Sequence, residues 1–525
     1  MAYRYEGNEL IIDGWERGIS SGPYSIFSPS ALGPINQTGM VDLSYVNITG
    51  VPGEVSVNFP MTAGTIAGSP PKSGGQFEQI TTKIVGATVS KYYTIDSYGQ
   101  IFTSDGTLSG GALTWTYQNH VGSNASSITN ANGIVWWQSY LLAIRTNAIY
   151  YSSDDGANWT DWTSVVGALL ASSGHYMISS KVSDRVYFCN GSGVGAVLLT
   201  QRQTFDPTNT ATFTFNGGTN PNMVSIPSYD DAFSLGELNG QILIGGGLNR
   251  VYPWDAANLA GTGITSLVGL PLFLGDRYVQ RIVVVNSNAY IFAGSPTIAS
   301  GRGYIYVSNG SQIDVFAKMP DNFTSIGGSV SDINTPYWRF FDAMWHRNQL
   351  VFGAVALTNN TSSQISDTGG IWAIDIGSQA LYRMTDTSSA TALVPMDTGT
   401  SIPGLGIVAG TASGTFFNST STMSTAGRII SDKIPVGTRF IPKTFEQLEL
   451  KLAVALVSGE SIAVTVITDV NPSGLSVGSM TSSDGMSKVF SPLNFQAVQW
   501  LQVKCVLTPT NTNPTFVRVR DIRLR

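Results

Sequence analysis

The chain has 525 residues, too long for one ordinary hydrophobic core, and only 12% of them are charged, about half of common usage. Its net charge of −6 and isoelectric point near 5.1 leave no basic stripe for phosphates, which argues against direct recognition of nucleic acid. The 57 glycines, the many Ser, Thr and Asn residues and the lack of sustained helical periodicity predict an all-β protein with tight turns.

The sequence predicts no export signal, no membrane span, no cofactor and no metal. The first residues lack a basic head with an apolar run behind it, and no apolar stretch is long enough to cross a bilayer. Cys189 and Cys505 lie in different predicted domains and suit buried positions better than a disulfide. His120, His175 and His346 are too few and too scattered for a metal site or a triad. We therefore expect a soluble protein made in a cytosol.

Residues 1–75 are predicted to form an extended N-terminal arm. The stretch 14–24 is rich in turn residues, short strands are predicted at 41–48 and 55–59, and the composition of 63–75 is typical of a linker. Because so small an apolar core cannot stand alone, we expect the arm to lie on a neighbouring domain or subunit.

Residues 134–159 carry the most informative pattern of the chain. Two strand-like runs are followed by Ser-Ser-Asp-Asp-Gly-Ala-Asn-Trp, which fits the Asp-box pattern Ser-x-Asp-x-Gly-x-x-Trp. In such a box Ser152, Asp154 and Gly156 build a tight turn, and Trp159 folds back to pack beneath it. A turn of this kind usually joins two outer strands of a propeller blade.

Looser versions of this strand–turn unit recur along the chain at intervals of roughly 40–70 residues, which suggests a repeat architecture. The unit is predicted again at 101–106, 185–191, 249–255, 304–310, 370–377 and 414–418. Residues 76–432 are therefore predicted to form a β-propeller with six or seven blades. A large β-sandwich or a β-helix is the alternative fold.

Residues 433–525 are predicted to form a C-terminal β-sandwich. Leu448, Leu450 and Leu452 alternate with charged residues, and the apolar parity changes at Asp521, which predicts a bulge or a strand end there. Four arginines stand out in this charge-poor chain and form either a solvated strand edge or a basic strip that docks on an acidic neighbour. These possible assembly contacts are Arg518, Arg520, Arg523 and Arg525.

Three other patterns are candidates for catalytic or cation-binding sites. Residues 18–22 match the Gly-x-Ser-x-Gly nucleophile elbow, but they lie in a turn-rich arm and not between a strand and a helix, so we expect a coincidence. Asp342 and His346 would share one face of a strand, as a surface polar pair at a loop or an inter-blade seam. Asp230 and Asp231 are expected in an exposed turn and not in a cation site.

Both ends of the chain resemble structural tail proteins of tailed bacteriophages. The patterns at 14–24, 46–48 and 52–59 resemble the start of such proteins, and those at 442–445 and 495–500 are similar to their closing sandwich. The resemblance implies a nozzle-like tubular tail protein of short-tailed phages, which is built around a propeller and arranged as a hexameric ring. Such a virion component continues the tail channel below the connector.

We therefore expect a non-enzymatic virion protein whose function comes from shape and self-association. By resemblance, its partners would be further copies in a hexameric ring, neighbouring tail and connector proteins, and viral DNA that passes without specific binding. It would reside in the virion tail after synthesis in the host cytoplasm.

The alternative is a phage propeller adhesin or depolymerase that binds or cleaves a host surface glycan. Sialidases carry Asp boxes, but those boxes lie away from the active site, and the early Phe-Arg-Ile-Pro motif of that family is absent; residues 439–442 have another order. We expect no catalytic residue and no cofactor.

Overall fold

The computed structural model is built of β-strands joined by short turns, and the prediction of an all-β protein is confirmed. In the part of the chain that the structure describes, the helical elements are the single turn Thr163–Val166 and the 3-10 turn Ser482–Asp484. The described residues are 3–6, 9–13, 40–44, 46–48, 54–58, 61–85, 88–109, 111–122, 132–170, 174–180, 184–200, 204–216, 222–256, 267, 270–274, 278–294, 303–320, 337–357, 368–385, 396–402, 406–411, 414–418, 426–431, 433–436, 443–497, 499–510 and 517–525.

Seven sheets, each built on four antiparallel strands, follow one another along the middle of the chain. Sheet 1 is Phe77–Val85, Thr88–Asp96, Gln100–Ser104 and Ala112–His120, with Leu108–Ser109 and Thr65–Ala67 beside its last strand. Sheet 2 is Asn132–Trp137, Tyr140–Arg145, Ala148–Ser152 and Thr160–Asp161. Sheet 3 is Met177–Ser179, Arg185–Cys189, Gly193–Leu199 and Phe213–Thr214, with Asn222–Ser225 paired to its third strand.

The remaining four sheets keep the same order of strands. Sheet 4 is Ala232–Leu238, Gln241–Gly246, Arg250–Trp254 and Leu272–Phe273; sheet 5 is Tyr278–Val285, Asn288–Gly294, Tyr304–Ser308 and Ile313–Lys318. Sheet 6 is Tyr337–His346, Gln349–Leu357, Gly370–Asp375 and Leu381–Thr385. Sheet 7 is Thr398–Ile402, Gly406–Thr411 and Gly414–Asn418, and its fourth strand is Met61–Ala63 from the N-terminal region.

The first strand of each sheet lies near the first strand of the next sheet, from sheet 1 through to sheet 7. The first strand of sheet 7, Thr398–Ile402, in turn lies against Phe77–Val85 of sheet 1. The succession of first strands therefore returns to its starting point. Because Met61–Ala63 supplies the outer strand of sheet 7, the N-terminal region also takes part in that last sheet.

Apolar side chains on both faces of these sheets are buried because neighbouring sheets cover one another. Ile95 and Leu141 belong to a buried cluster between sheets 1 and 2, and Val194 and Trp254 belong to one between sheets 3 and 4. Burial of each large apolar side chain contributes about 1.5–3 kcal/mol. The continuous apolar run Leu141–Ile144 follows from this arrangement, because a strand covered on both faces has no need to alternate.

Strands from both ends of the chain form a terminal unit beside the seven sheets. One of its sheets has the order Tyr3–Glu6, Glu9–Ile12, Arg518–Leu524, Leu448–Leu452 and Ser487–Phe490, with Val55–Val57 also paired to Arg518–Leu524 and Val46–Asn47 paired to Val55–Val57. The other has the order Met40–Ser44, Gly427–Ser431, Trp500–Thr508, Ser461–Thr468 and Leu475–Thr481, with Ile434–Pro435 paired to Trp500–Thr508. Lys443–Phe445 pairs with Phe495–Ala497.

The strand Met40–Ser44 joins the terminal unit to sheet 6, since Ser44 pairs in parallel with Arg383 of the strand Leu381–Thr385. The described parts of the predicted arm thus contribute strands to the terminal unit, to sheet 1 and to sheet 7. Two finer predictions are confirmed. Leu448–Leu452 alternates between buried and half-buried side chains, and a register shift lies between the pairs Lys451↔Asp521 and Leu452↔Val519.

Candidate functional site

Glutamine side chains on the first strands bridge neighbouring sheets. Gln79 accepts hydrogen bonds through Oε1 from the backbone N–H groups of Ile134 (3.2 Å) and Met177 (3.3 Å), and its Nε2 donates to the Met177 carbonyl at 2.6 Å. Gln280 accepts through Oε1 from the N–H of Phe340 at 2.7 Å. A first strand has no further strand on its inner edge, so its buried N–H groups need other acceptors. The glutamines supply them and hold the seams together.

A buried ion pair joins sheets 5 and 6. Arg281 Nη2 lies 2.6 Å from Asp342 Oδ1, and the two side chains are 13% and 8% exposed. The guanidinium of Arg281 also lies over the ring of Tyr176, 3.7 Å from its centroid, and Tyr176 immediately precedes sheet 3. Asp342 Oδ2 accepts from the N–H of Gly399 (2.9 Å) and the hydroxyl of Thr398 (3.1 Å) in sheet 7. We call Gln79, Tyr176, Arg281 and Asp342 the central polar cluster.

The electrostatics of the central polar cluster favour a fixed pair. Burial opposes the charge of Arg281, but the attraction and hydrogen bond of Asp342, together with the attraction of Tyr176 and Cys189, outweigh burial and raise the pKa of the guanidinium. Burial also raises the pKa of Tyr176, so its phenol stays protonated at neutral pH. The other acceptor position of Asp342 Oδ1 is taken by the N–H of Ala343 at 2.8 Å. Asp342 and Gln79 use their polar atoms in contacts between sheets, while Nε of Arg281 is buried without a hydrogen-bond partner among the described residues. This arrangement suits holding sheets together better than transferring protons.

The predicted pairing of Asp342 with His346 is wrong in one respect. Both residues lie at the seam between sheets 6 and 7, but both are buried, whereas the sequence predicted a surface pair. A register shift between Phe340 and Ala343 turns Asp342 towards Arg281. His346 instead has its Nδ1 2.8 Å from the hydroxyl of Ser401, and burial lowers its pKa.

The Asp-box turn has the internal bonds that its residue types predict. The Ser152 hydroxyl donates to Asp154 Oδ1 at 2.8 Å and accepts from the N–H of Gly156 at 2.9 Å. Gly156 has φ +87°, a value that favours glycine, and its carbonyl accepts from Nε1 of Trp159 at 3.0 Å. Trp159 packs on the buried cluster between sheets 1 and 2. The turn joins Ala148–Ser152 to Thr160–Asp161, the outer two strands of sheet 2.

Asp155, an unassigned position within the box, makes the strongest polar contacts of the turn. Its carboxylate lies 2.7 Å from Nζ of Lys83 and 2.7 Å from Nζ of Lys91, and it accepts from the Tyr93 hydroxyl at 2.7 Å. Burial alone would raise the pKa of Asp155, but these three hydrogen bonds hold it at about 2. The turn thereby clamps sheet 2 to the first hairpin of sheet 1. The only feature of the sequence that could have indicated this contact is the pair of lysines on that hairpin, but their position in the sequence does not show that they lie close to Asp155.

Two of the looser repeats build a similar turn. In sheet 1 the N–H of Gly106 donates to the Ser104 hydroxyl at 3.2 Å, and in sheet 5 the N–H of Gly310 donates to the Ser308 hydroxyl at 3.0 Å. Both turns follow the third strand of their sheet, as the Asp-box turn does. The recurring strand–turn pattern therefore marks equivalent positions in different sheets.

Ion pairs within the chain are made by Arg518, Arg523 and Arg525. Arg523 and Arg525 lie 3.6 Å and 2.6 Å from the carboxylate of Glu9, and Arg525 also lies 3.6 Å from Glu449. Arg518 lies 3.7 Å from Glu54. The acidic partners Glu9 and Glu54 come from the N-terminal region, so these arginines tie the two ends together. Arg520 has an exposed side chain at the register shift of its strand.

The remaining candidates have structural surroundings. His175 is fully buried, with Nδ1 2.9 Å from the Cys189 carbonyl and Nε2 2.5 Å from the Thr146 carbonyl, and burial lowers its pKa. Cys189 and Cys505 are buried free thiols, as predicted. The expectation of an exposed turn fails for Asp230, which is 2% exposed and accepts from the Tyr252 hydroxyl at 2.9 Å.

The nucleophile-elbow match at 18–22 lies outside the described residues. Among the residues that are described, no three His, Cys, Asp or Glu side chains come together in a group that could hold a metal ion. None of the helices described is long and apolar enough to cross a membrane.

No protein-family model matches the chain, and no curated protein matches it. Among solved structures, the computationally designed Ika8 protein is similar to 68% of this chain over 99% of its own, at 11% identity and a TM-score of 0.38. YCF48 bound to D1 peptide is similar over 69% of this chain and 97% of its own, at 10% identity and a TM-score of 0.41. An exo-β-1,3-galactanase from Phanerochaete chrysosporium covers 89% and 99% of the two chains, at 11% identity and a TM-score of 0.29. At these values the likenesses carry no argument about activity.

Proposed function

We propose that the seven sheets are the blades of one β-propeller, and that the chain is a non-enzymatic structural component of a bacteriophage tail that assembles as a ring. Two features support the propeller. The first strands of the sheets follow one another and return to the start, as the inner strands of a propeller do around its axis. The last sheet takes its outer strand from the N-terminal region, which would close the ring of blades.

The observation that carries the structural role is the use of the polar groups at the centre. Arg281 of sheet 5 is held between Tyr176 before sheet 3 and Asp342 of sheet 6, and Gln79 of sheet 1 reaches Met177 of sheet 3. A catalytic acid or base needs a free lone pair or proton aimed at a substrate. Apart from Nε of Arg281, which has no hydrogen-bond partner among the described residues, these groups contact neighbouring sheets, and this supports a structural role for the centre.

The resemblance of the chain ends to phage tail proteins supports the assignment to a tail. The resembling stretches 54–58 and 443–445 both lie in the terminal unit, although they are far apart in sequence. If the centre of the propeller is filled by side chains, the tail channel must run between copies of the chain. The ring of copies, which we propose to be a hexamer, would form the wall of that channel, and the mildly acidic composition would avoid trapping DNA.

The experiment that tests this proposal is native mass spectrometry together with light scattering, on the purified chain and on intact particles. A mass near six times 55.9 kDa, or six to twelve copies in each particle, is the expected result. A monomer that is absent from particles and that degrades a surface polysaccharide would contradict the proposal.

A substitution of Arg520, which is exposed on the C-terminal strand, tests the proposed ring of copies. We expect Arg520→Glu to reduce the ring fraction, because a basic contact between copies would become repulsive. Lys72→Glu makes the same change of charge at another exposed side chain and should leave the ring intact. Equal loss of the ring in both variants would remove Arg520 from the interface.

A further inference from the structure

Sheet 4 presents a group of exposed aromatic rings around one arginine. Tyr229 and Phe273 are 61% and 59% exposed. Phe273 lies directly opposite Arg250 in the pairing of the last two strands. We call Tyr229, Arg250 and Phe273 the aromatic platform. Single exposed apolar residues are ordinary, but rings grouped on one edge are typical of binding surfaces.

The arginine fixes the rings of the platform. Its guanidinium lies 5.4 Å from the ring centroid of Tyr229 and 5.2 Å from that of Phe273, and Nη1 of Arg250 donates to the Tyr229 hydroxyl. Contacts of this kind between a cation and an aromatic face contribute about 0.5–1 kcal/mol at exposed sites. The rings are therefore held in place while their outer faces stay open to solvent.

A buried network supports the platform from below. Asp230 is 2% exposed and accepts from the Tyr252 hydroxyl (2.9 Å) and from the N–H groups of Leu248 (2.9 Å) and Asp231 (2.9 Å). These bonds lock the chain immediately beside Tyr229. A surface whose side chains are already ordered loses little entropy when a ligand binds, so the platform is prepared for binding.

We propose that the aromatic platform is a binding site for a pyranose ring of a glycan. The flat faces of Tyr229 and Phe273 suit the apolar C–H face of a sugar, and the Nη groups of Arg250 suit its hydroxyls. The exposed side chain of Asp231 lies next in sequence to the buried support and can accept from further hydroxyls. The chain would then carry a sugar-recognition function in addition to its structural one.

A protein partner fits the platform less well. A stable protein interface buries about 800 Å² on each partner around an apolar centre. The described neighbours Ser228 and Asp231 are polar and exposed, and the nearest exposed apolar side chain in sequence is Leu270, three residues before Phe273. The exposed faces of the two rings of the platform match one or two sugar rings better than a protein surface.

The test uses the full chain and saturation-transfer NMR with three hexasaccharides, built from N-acetylglucosamine, from galactose and from glucose. At least one probe should receive saturation on its C–H protons. Tyr229→Ala and Phe273→Ala should each weaken that binding tenfold or more, whereas Tyr229→Phe, which keeps the ring, should retain most of it. Val489→Ala removes an exposed apolar side chain of the terminal unit and serves as the matched control. Near-ultraviolet circular dichroism checks that each variant is folded.

Either of two results would overturn the inference. The first is that no probe gives a signal that depends on Tyr229 and Phe273. The second is that the alanine variants change the oligomeric mass and leave sugar binding untouched, which would make the platform a contact between protein copies. The proposal that the chain assembles as a ring of copies can fail without affecting this inference, because a monomeric chain can still bind sugar through the platform.

Discussion

Breaking the ion pair of the central polar cluster should cost much more than breaking an ion pair at the surface. Asp342→Ala leaves the guanidinium of Arg281 buried without its partner, and removing one member of a buried pair costs about 3–5 kcal/mol. The change also removes the acceptor of the buried Thr398 hydroxyl, and an unsatisfied buried donor costs about 1–3 kcal/mol. We therefore expect the loss in unfolding free energy to fall near the upper end, at about 5 kcal/mol.

Urea unfolding followed by tryptophan fluorescence measures this loss, with Glu6→Ala as the control. Glu6 pairs with Arg4 in an exposed position, where a broken pair costs at most about 1 kcal/mol. The double variant Arg281→Met with Asp342→Ala removes both charges. It should be less destabilised than the sum of the single variants by about 2 kcal/mol.

A small effect would refute the reasoning. If Asp342→Ala costs no more than Glu6→Ala, both charges must be solvated in the folded protein, and water must reach the central polar cluster. The proposal that the polar groups of the centre are spent on structure would then fail. An additive double variant would mean that Arg281 and Asp342 act independently.

Three further predictions concern the seams between sheets. Asp155→Asn should lower the unfolding free energy by about 1 kcal/mol. Because the native pKa of Asp155 is about 2, this contribution is present above pH 3.9 and disappears as the pH falls towards 2. Urea titrations at several pH values would detect the loss. Gly294→Ala would place a Cβ 2.1 Å from the Trp338 carbonyl oxygen and should lower the unfolding free energy by about 1–3 kcal/mol. At Gly377 the nearest atom to such a Cβ lies at 3.4 Å, so Gly377→Ala should leave the thermal unfolding temperature unchanged. Burial lowers the native pKa of His346, so as the pH falls the unfolded chain takes up a proton before the folded chain does. The unfolding free energy should therefore decrease below pH 6.5 by up to about 1.4 kcal/mol per pH unit. The variant His346→Asn should show a smaller decrease.

Features that depend on neighbours in sequence could be predicted. The Asp-box turn is set within eight residues, because Ser152 and Gly156 meet through one hydroxyl and one backbone N–H. The alternation of Leu448–Leu452 follows from the two-residue period of a strand with one covered face. The bulge opposite Lys451 could be read from the shift of apolar parity in the last strand.

Features that depend on the order of the sheets could not be predicted. Arg281 and Asp342 are adjacent in space only because the first strands of sheets 5 and 6 are neighbours, and a local bulge decides which way Asp342 points. Asp155 meets Lys83 because sheet 2 lies on the first hairpin of sheet 1. A sequence pattern gives the residue types at such seams but not the partner across them.

The pairing of the chain ends has a mechanical consequence for the proposed tail role. Glu9 binds Arg523 and Arg525 across neighbouring strands, and Met40–Ser44 continues the terminal unit into sheet 6 through backbone hydrogen bonds. Asn58 adds a hydrogen bond from Nδ2 to the Met384 carbonyl at 3.0 Å. A force applied to the terminal unit therefore passes into sheet 6 through sheet hydrogen bonds. This continuity suits the proposed role of the chain as a wall element of a tail channel.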